Sequence, residues 1–346
     1  MTPTSMDTIR KALKKLLEKE DLAEEEIFQI FLAFSKEQEV SPILASSFLT
    51  ALHIKGETVE ELVGASKAML RTARSLPVNG DHEKIMDIVG TGGDGKQTCN
   101  ISTLASFTAA ACGVSVVKHG NRSISSRCGS ADLIEKLGLR IEQDPEKAAE
   151  QLHLTCFAFL FAPFYHFGFK QIGEIRKALG FRTIFNRIGP LVNPARPSVM
   201  LLGVAHPSWL LPTVESLKKL GCQRAWVVHG GGGSDELDLE GDNLIFSLEN
   251  GKIDPLKLSP SEVNLKGTSL SKIQGGTKSE NLSLAIEVLQ GKPGPLSDVT
   301  ALNSGASLYL YGKAKTVREG VDLAKDVLRK GLPWSLVEKI RSEYSE

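Results

Sequence analysis

The chain is 346 residues long, with 41 basic and 41 acidic side chains, a formal net charge of zero and 41% hydrophobic residues. That length allows one large or two modest domains with an ample core, and the neutral balance excludes the broad basic face that nucleic acid or an acidic membrane would require. Five scattered cysteines (99, 112, 128, 156 and 222) without a C-x-x-C spacing fit a reduced, cytoplasmic setting. Neither a signal nor a transit peptide is evident, and the longest uncharged stretch, Leu154 to Phe169, is too short to span a bilayer and is broken by Pro163.

Residues 1–76 read as helices only. Ile9, Leu13, Leu16 and Leu17 repeat at helical spacing, as do Ile27, Ile30, Phe31 and Phe34. Asp21-x-x-Glu24 and Thr58-x-x-Glu61 have the form of capping boxes, and Ser41-Pro42 that of an N-cap followed by a first-turn proline. With no strand of its own to cover, this block is expected to form a small helical domain. A linker with Pro77, Asn79 and Gly80 follows, from Leu76 to His82.

The most informative stretch is Met86 to Gly138. An apolar run, Ile85 to Val89, stops at Gly90-Thr91-Gly92-Gly93-Asp94-Gly95. After Asn100-Ile101-Ser102-Thr103 a small-residue helix runs to about Cys112 and ends at Gly113. A second run, Val114 to Val117, delivers the basic segment Lys118-His119-Gly120-Asn121-Arg122. This is a βαβα unit whose polar residues collect at the carboxyl ends of its strands, where open α/β sheets bind ligands. Gly90, Gly92 and Gly95 satisfy G-x-G-x-x-G, but the helix starts too late for the dinucleotide fingerprint and the second strand ends in Lys118-His119 rather than an acid. No Gly-Lys-Ser/Thr follows, so a P-loop is excluded as well. A phosphate cradle or a plain tight turn remains, and Lys118 and Arg122 weigh for the cradle. Ser102 reads equally as a helix cap, and Cys99 as a small filler beside the anion site.

Alternation resumes after Gly138. A helix starts at Asp144-Pro145, and Cys156 to Phe161 is apolar enough for the interior of a parallel sheet. Val199–Val204 and Ala225–Val228 read as strands flanking a helix that stops at Gly221. Residues 237–256 read as antiparallel strands turning at Asn250-Gly251, and helices near 279–290, 298–311 and 316–330 close the chain. Asp235-Glu236 follows His229 and four glycines on a polar loop, where adjacent carboxylates are either solvated or magnesium ligands. Arg176, alone on a helix starting near Lys170, reads from composition as a surface residue.

Taken in order, GTGGDG (90–95), NIST (100–103), KHGNR (118–122), GSAD (129–132), RTIFNRIGPLVNPA (182–195), VVHG…SDE (227–236) and ALNSGASLYLYG (301–312) resemble the anthranilate phosphoribosyltransferase family over nearly the whole chain. The resemblance implies an α/β fold: a small all-helical N-terminal domain plus a larger domain with a central, mostly parallel sheet flanked by helices. The helical domain would comprise residues 1–76 with a returning segment at about 163–197, and the α/β domain 77–162 with 198–346. The implied reaction transfers the 5-phosphoribosyl group from phosphoribosyl diphosphate to anthranilate, the second step of tryptophan biosynthesis from chorismate.

The same resemblance places the donor on Gly90, Gly93, Asp94 and Thr98, on Asn100, Ile101, Ser102 and Thr103, on Lys118, His119, Gly120, Asn121 and Arg122, and on Ser126 and Ser130. It places anthranilate on Gly90, Asn121 and Arg176, the last gripping the carboxylate. Magnesium, two ions per subunit, would be held by Ser102, Asp235 and Glu236, and a homodimer would form through the helical domain. No residue stands out as a general base. Two departures from the family pattern fall in the carboxylate loop, with its four glycines and a serine, and in 166–174, where His166-Phe167-Gly168-Phe169 and Glu174 replace prolines and small residues. The rival readings are a pyrimidine-nucleoside phosphorylase-like enzyme, against which KHGNR argues, and a non-catalytic nucleic-acid-binding relative, which would need a basic face.

Overall fold

The computed structural model describes residues 5–36, 40–78, 84–122, 128–141 and 144–344. The first 76 residues carry four helices, α1 (Ser5–Leu17), α2 (Glu24–Phe34), α3 (Pro42–Lys55) and α4 (Val59–Thr72). The Thr58 box forms as expected, with Thr58 Oγ1 accepting from Glu61 N–H and Glu61 Oε2 from Thr58 N–H. The expected Asp21–Glu24 box does not form: α2 starts at Glu24, and Glu26 accepts from the N–H of Ala23 instead. Ser41 takes the N-cap position without a side-chain cap, and Pro42 opens α3.

The remainder builds one seven-stranded sheet of order β3-β2-β1-β4-β5-β6-β7, parallel through β5 and antiparallel beyond it. In chain order the elements are β1 (Met86–Gly90), α5 (Ile101–Ala111), β2 (Val116–Gly120), α6 (Ser130–Lys136), α7 (Pro145–Thr155), β3 (Phe157–Phe161), the short α8 (Ala162–Tyr165), α9 (Lys170–Leu179), α10 (Ile184–Ile188), β4 (Val199–Gly203), α11 (Leu210–Lys219), β5 (Arg224–His229), β6 (Asn243–Glu249) and β7 (Lys252–Leu258). They end with α12 (Lys278–Leu289), α13 (Pro295–Tyr311), α14 (Val317–Arg329) and α15 (Leu332–Tyr344). The Asn250-Gly251 turn joins β6 to β7 with both residues at positive φ, 50° and 73°, the backbone of a tight hairpin turn.

Three further expectations are corrected. The chain closes on α15, one helix beyond the three read from the sequence. β2 runs through Lys118 and His119 to Gly120, so the basic segment begins inside the sheet. Cys156 is the left-handed cap of α7 (φ 57°) rather than the first residue of β3.

Period-2 alternation sorts the strands onto two cores. Met86, Ile88, Val199, Leu201, Trp226 and Val228 face α5 and α12–α15. Met200, Leu202, Ala225 and Val227 face the other way, into a core shared with α1–α4 and α9–α11. The N-terminal helices therefore do not close a core by themselves; their apolar faces continue through the returning segment onto one face of the sheet. That continuity holds the segment at 162–197 over the carboxyl ends of β1 and β2.

Candidate active site

At the end of β1 the chain enters the glycine loop with Gly92, Gly93 and Gly95 all at positive φ (70°, 75° and 77°). Gly92 N–H donates to Asp235 Oδ2 at 2.5 Å, and Asp94 Oδ2 accepts from the N–H of Asp235 at 3.3 Å. The carboxylate loop after β5 thus lies directly on the glycine loop. The close approach is what requires glycine at two strand ends that pair across the sheet, Gly90 and Gly203. A Cβ on Gly90 would overlap the Asp235 carboxylate, and one on Gly203 would overlap the Asp235 carbonyl.

The sequence left Asp235-Glu236 as either solvated or magnesium ligands, and the structure takes the pair out of bulk solvent. Asp235 is buried and Glu236 half-buried. Ser234 Oγ donates to Asp238 Oδ2 at 2.8 Å, and the N–H of Gly232 donates to the same carboxylate, so four glycines make a folded loop around Asp238. Burial raises Asp235 to about 7, with the neighbouring Asp94 charge adding to it. Burial also holds Glu236 well above the usual carboxylate range, with the charge of Asp235 next in importance. Buried carboxylates crowded together and only partly offset by Lys118 form a donor set suited to a divalent metal. Among the described residues no group of three or more His, Cys, Asp or Glu has a geometry to hold a metal. Magnesium, which takes few protein ligands and completes its shell with phosphate oxygens and water, is the ion such a pair fits.

Ser102 is not the helix cap. α5 starts at Ile101 with Asn100 at the cap position, and the N–H of Ser102 donates to Glu236 Oε1 at 2.9 Å, so Glu236 itself caps the helix. Ser102 Oγ is within 3.2 Å of Lys118 Nζ, which also donates to the carbonyl of Ile88 at 2.6 Å. Burial pulls Lys118 below its usual range, opposed by Asp87, Glu236 and Asp235. Thr103 is fully buried and its N–H bonds back to Asn100. Ile101 is buried with the α5 core, and Thr98 bridges to Gln274, strapping the far side of the loop. Asn100 Nδ2 reaches the carbonyl of Cys128. Cys99 is buried and its thiol is pushed up to about 12 by burial, as suits a filler.

Beyond β2 the residues spread out. His119 is buried, its Nδ1 3.3 Å from the carbonyl of Gly189 and its Nε2 without a partner, and its ring meets that of His166 edge-on at 5.3 Å. Burial pushes both histidines down, to about 3 and about 4, so both are neutral. Gly120 faces Ser130 Oγ, which donates to the carbonyl of Asn121. Arg122 is held by Glu135 through Nη2 (2.7 Å) and Nε (3.2 Å) and lies over the Phe161 ring. Ser126 lies outside the described residues. Arg176 stands on α9 as the sequence placed it, half-buried, its guanidinium over the ring of Phe185 and 3.5 Å from Asn186 Oδ1, with burial lowering its pKa. Its contacts stay within the returning segment.

Three supports were not read from the sequence. Asp87, fully buried in β1, accepts from Asn193 Nδ2, which also reaches the carbonyl of Val117 and so ties the returning segment to β1 and β2. Asp238 organises the carboxylate loop. Arg182 lays its guanidinium on Gly93, with Cζ 2.7 Å from where a Cβ would stand. A lone acid inside the apolar run MDIVG is the signal that could have exposed Asp87; Arg182 opens the motif at 182–195 without a sign of its partner, and nothing local marks Asp238.

The fold and this convergence of a glycine loop, a buried lysine and paired carboxylates at the carboxyl edge of a parallel sheet define a glycosyl transferase. The family models agree: the glycosyl transferase family a/b domain matches residues 82–333 and its helical bundle domain residues 10–73. Within that class the chain belongs to the anthranilate phosphoribosyltransferase family. It is 44% identical to the Thermus thermophilus anthranilate phosphoribosyltransferase over 95% of this chain and 97% of that one, and 41% identical to the Shewanella sp. (strain W3-18-1) enzyme over 99% of each. The crystal structure of the Thermus thermophilus enzyme superposes with a TM-score of 0.89, covering 96% of this chain and 98% of that one. The Saccharomyces cerevisiae enzyme in complex with PRPP and Mg superposes at 0.87 with 28% identity, covering 97% of each chain. The phosphoribosyltransferase reading of the sequence stands, and neither rival reading finds support among these relatives.

Proposed function

We propose that this chain transfers the 5-phosphoribosyl group of 5-phospho-α-D-ribose 1-diphosphate to anthranilate, giving N-(5-phosphoribosyl)anthranilate and diphosphate. The observation that carries the assignment of roles is the meeting of Gly92, Ser102 and Lys118 with Asp235 and Glu236 at one edge of the sheet. In this reading the glycine loop and the start of α5 receive the diphosphate. Ser102, Asp235 and Glu236 hold magnesium, two ions per subunit. Bound there, the metal neutralises charge on the diphosphate leaving group.

Arg176 orients anthranilate by its carboxylate, with Asn121 and Gly90 at the junction with the donor. His119 and His166, neutral and apolar in effect, help keep water from the channel. The C1–O bond to diphosphate breaks, the amine nitrogen forms the bond to C1, and the amine proton passes to solvent; a neutral arylamine needs no general base for this. The domain division 1–76 with 163–197 against 77–162 with 198–346 is part of the proposal; the helices share their core with the returning segment, and that core continues onto one face of the sheet.

A cytoplasmic homodimer through the helical domain completes it. Leu17, Ile43 and Ile54 stand 71%, 79% and 76% exposed on α1 and α3, and the described cysteines are all free. No helix among the described residues is long and apolar enough to cross a membrane.

The reading is tested by following anthranilate fluorescence. It is expected to fall only when phosphoribosyl diphosphate and magnesium are both present, with stoichiometric diphosphate release. Fluorescence loss with inorganic phosphate and a nucleoside instead, or none with any donor, overturns it.

A further inference from the structure

Lys96, which follows the glycine loop, lays its ammonium toward Gly233 of the carboxylate loop, and the cations assigned to the donor's phosphates are already engaged. Of the two cations that the sequence assigns to the donor's phosphates, Lys118 has its ammonium on the Ile88 carbonyl and Ser102 Oγ, and Arg122 is bidentate on Glu135. Facing them are three carboxylates, Asp94, Asp235 and Glu236. A diphosphate brought to this loop adds further negative charge.

Arg182 is placed to answer it. Its Nε, Cζ and Nη2 cover Gly93 from the side of the returning segment, within 3.0 Å of where a Cβ would stand on a residue whose φ of 75° already favours glycine. It is half-buried, yet it makes no hydrogen bond or ion pair with any described residue. Its other side borders a cavity of about 300 Å³ whose carboxylate, Glu57, is taken by Arg187 at 3.1 Å. The backbone on both sides of Arg182 is fixed: Phe181 stacks on His53 at 5.5 Å, and Thr183 N–H is bonded to Asn186 Oδ1 at 3.0 Å. A guanidinium held half out of water without a counter-ion, against an anion loop, is a fork waiting for phosphate oxygens.

We propose that Arg182 is a further donor-binding residue, which supplies positive charge and hydrogen-bond donors from the returning segment to the diphosphate held by the glycine loop. The inference rests on the donor reading above. It makes the segment 162–197 serve both substrates, with Arg176 on α9 for the acceptor and Arg182, just beyond the end of that helix, for the donor.

The test is calorimetric titration of magnesium pyrophosphate, without anthranilate, into wild type, Arg182→Gln and Arg182→Lys, with near-UV circular dichroism to confirm folding. Loss of a charge-assisted contact predicts weakening by about 10- to 100-fold in Arg182→Gln. Arg182→Lys, which keeps the charge and loses the fork, falls between the two, and the KM for anthranilate moves less than about threefold in either. If Arg182→Gln does not fold, Arg182→Met takes its place under the same limits. A loss below about threefold in the uncharged variant, or a lysine variant as weak as it, overturns the assignment. Wild type that does not bind magnesium pyrophosphate at all overturns the donor reading instead.

Discussion

The two ends of this site are built in different ways. At the donor end, polar groups from three strand ends are already bonded to one another: Gly92 to Asp235, Ser102 to Glu236, Lys118 to Ile88 and Ser102. At the acceptor end, Arg176 has a cation–π contact and one long hydrogen bond, both within its own segment. The donor end is a preformed array fixed by backbone, whereas the acceptor end is a set of side chains on short helices. A sheet edge positions charge to within a hydrogen bond; helices that only lean on the sheet leave room for the acceptor pocket to vary, and one of the two departures from the family pattern, at 166–174, falls there.

The comparison breaks most visibly at the carboxylates. Asp235→Asn with Glu236→Gln is expected to lower kcat by about 100-fold or more, as removal of electrostatic stabilisation does. It should also raise the melting temperature. Asp235 titrates near 7 in the folded chain against an ordinary 3.8, so its burial destabilises the fold increasingly as pH rises from 4 to above 7. The amide removes that cost, and the magnesium-free variant at pH 8 should melt about 2–5 °C above wild type, a gain that disappears at pH 4. Calorimetric scans at the two pH values check it; a variant that melts lower at pH 8 would place these carboxylates in a structural role.

Arg176→Ala tests the other end. A lost charge-assisted hydrogen bond lowers kcat/KM for anthranilate by about 10- to 100-fold. The KM for phosphoribosyl diphosphate should stay within a few-fold, and Arg176→Lys should recover only part. Equal damage to both substrates in steady-state kinetics would mean that the two ends are not separate.

Two smaller effects sharpen the description of the donor end. Gly90→Ala pushes its methyl against the Asp235 carboxylate and should raise the magnesium needed for half-maximal activity by about tenfold, on the scale of one disturbed ligand. Magnesium binding requires ionised carboxylates. With Asp235 near 7, the magnesium concentration that half-saturates the thermal shift should fall by about tenfold between pH 6 and pH 8. A midpoint independent of pH would remove Asp235 from the ligand set.

What the sequence made legible follows the same division. The glycine loop, Lys118, the Asp235-Glu236 pair and the Asn250-Gly251 turn are local signatures, readable because their chemistry lies in consecutive residues. What they bond to was not. Gly92 and Asp235 are 143 positions apart, Ser102 and Glu236 134, and Asp87 and Asn193 106. No periodicity says that Glu236 caps α5, that a polar loop of four glycines is folded around Asp238, or that Lys118 ends inside the sheet with its charge committed. Arg182 was hidden in the same way: it stood within a motif, but only the packing of the returning segment puts it on Gly93. The missed α15 has a plainer cause, since Gly331-Leu332-Pro333 reads as a stop although the proline sits acceptably in the first turn of a new helix.

The most direct test of the separation between the ends is titration of magnesium phosphoribosyl diphosphate into Arg176→Ala without anthranilate. The preformed donor end predicts a dissociation constant within about twofold of wild type and an unchanged stoichiometry. A loss of tenfold or more would contradict it, and would mean that the donor array is assembled only with the acceptor side chain in place.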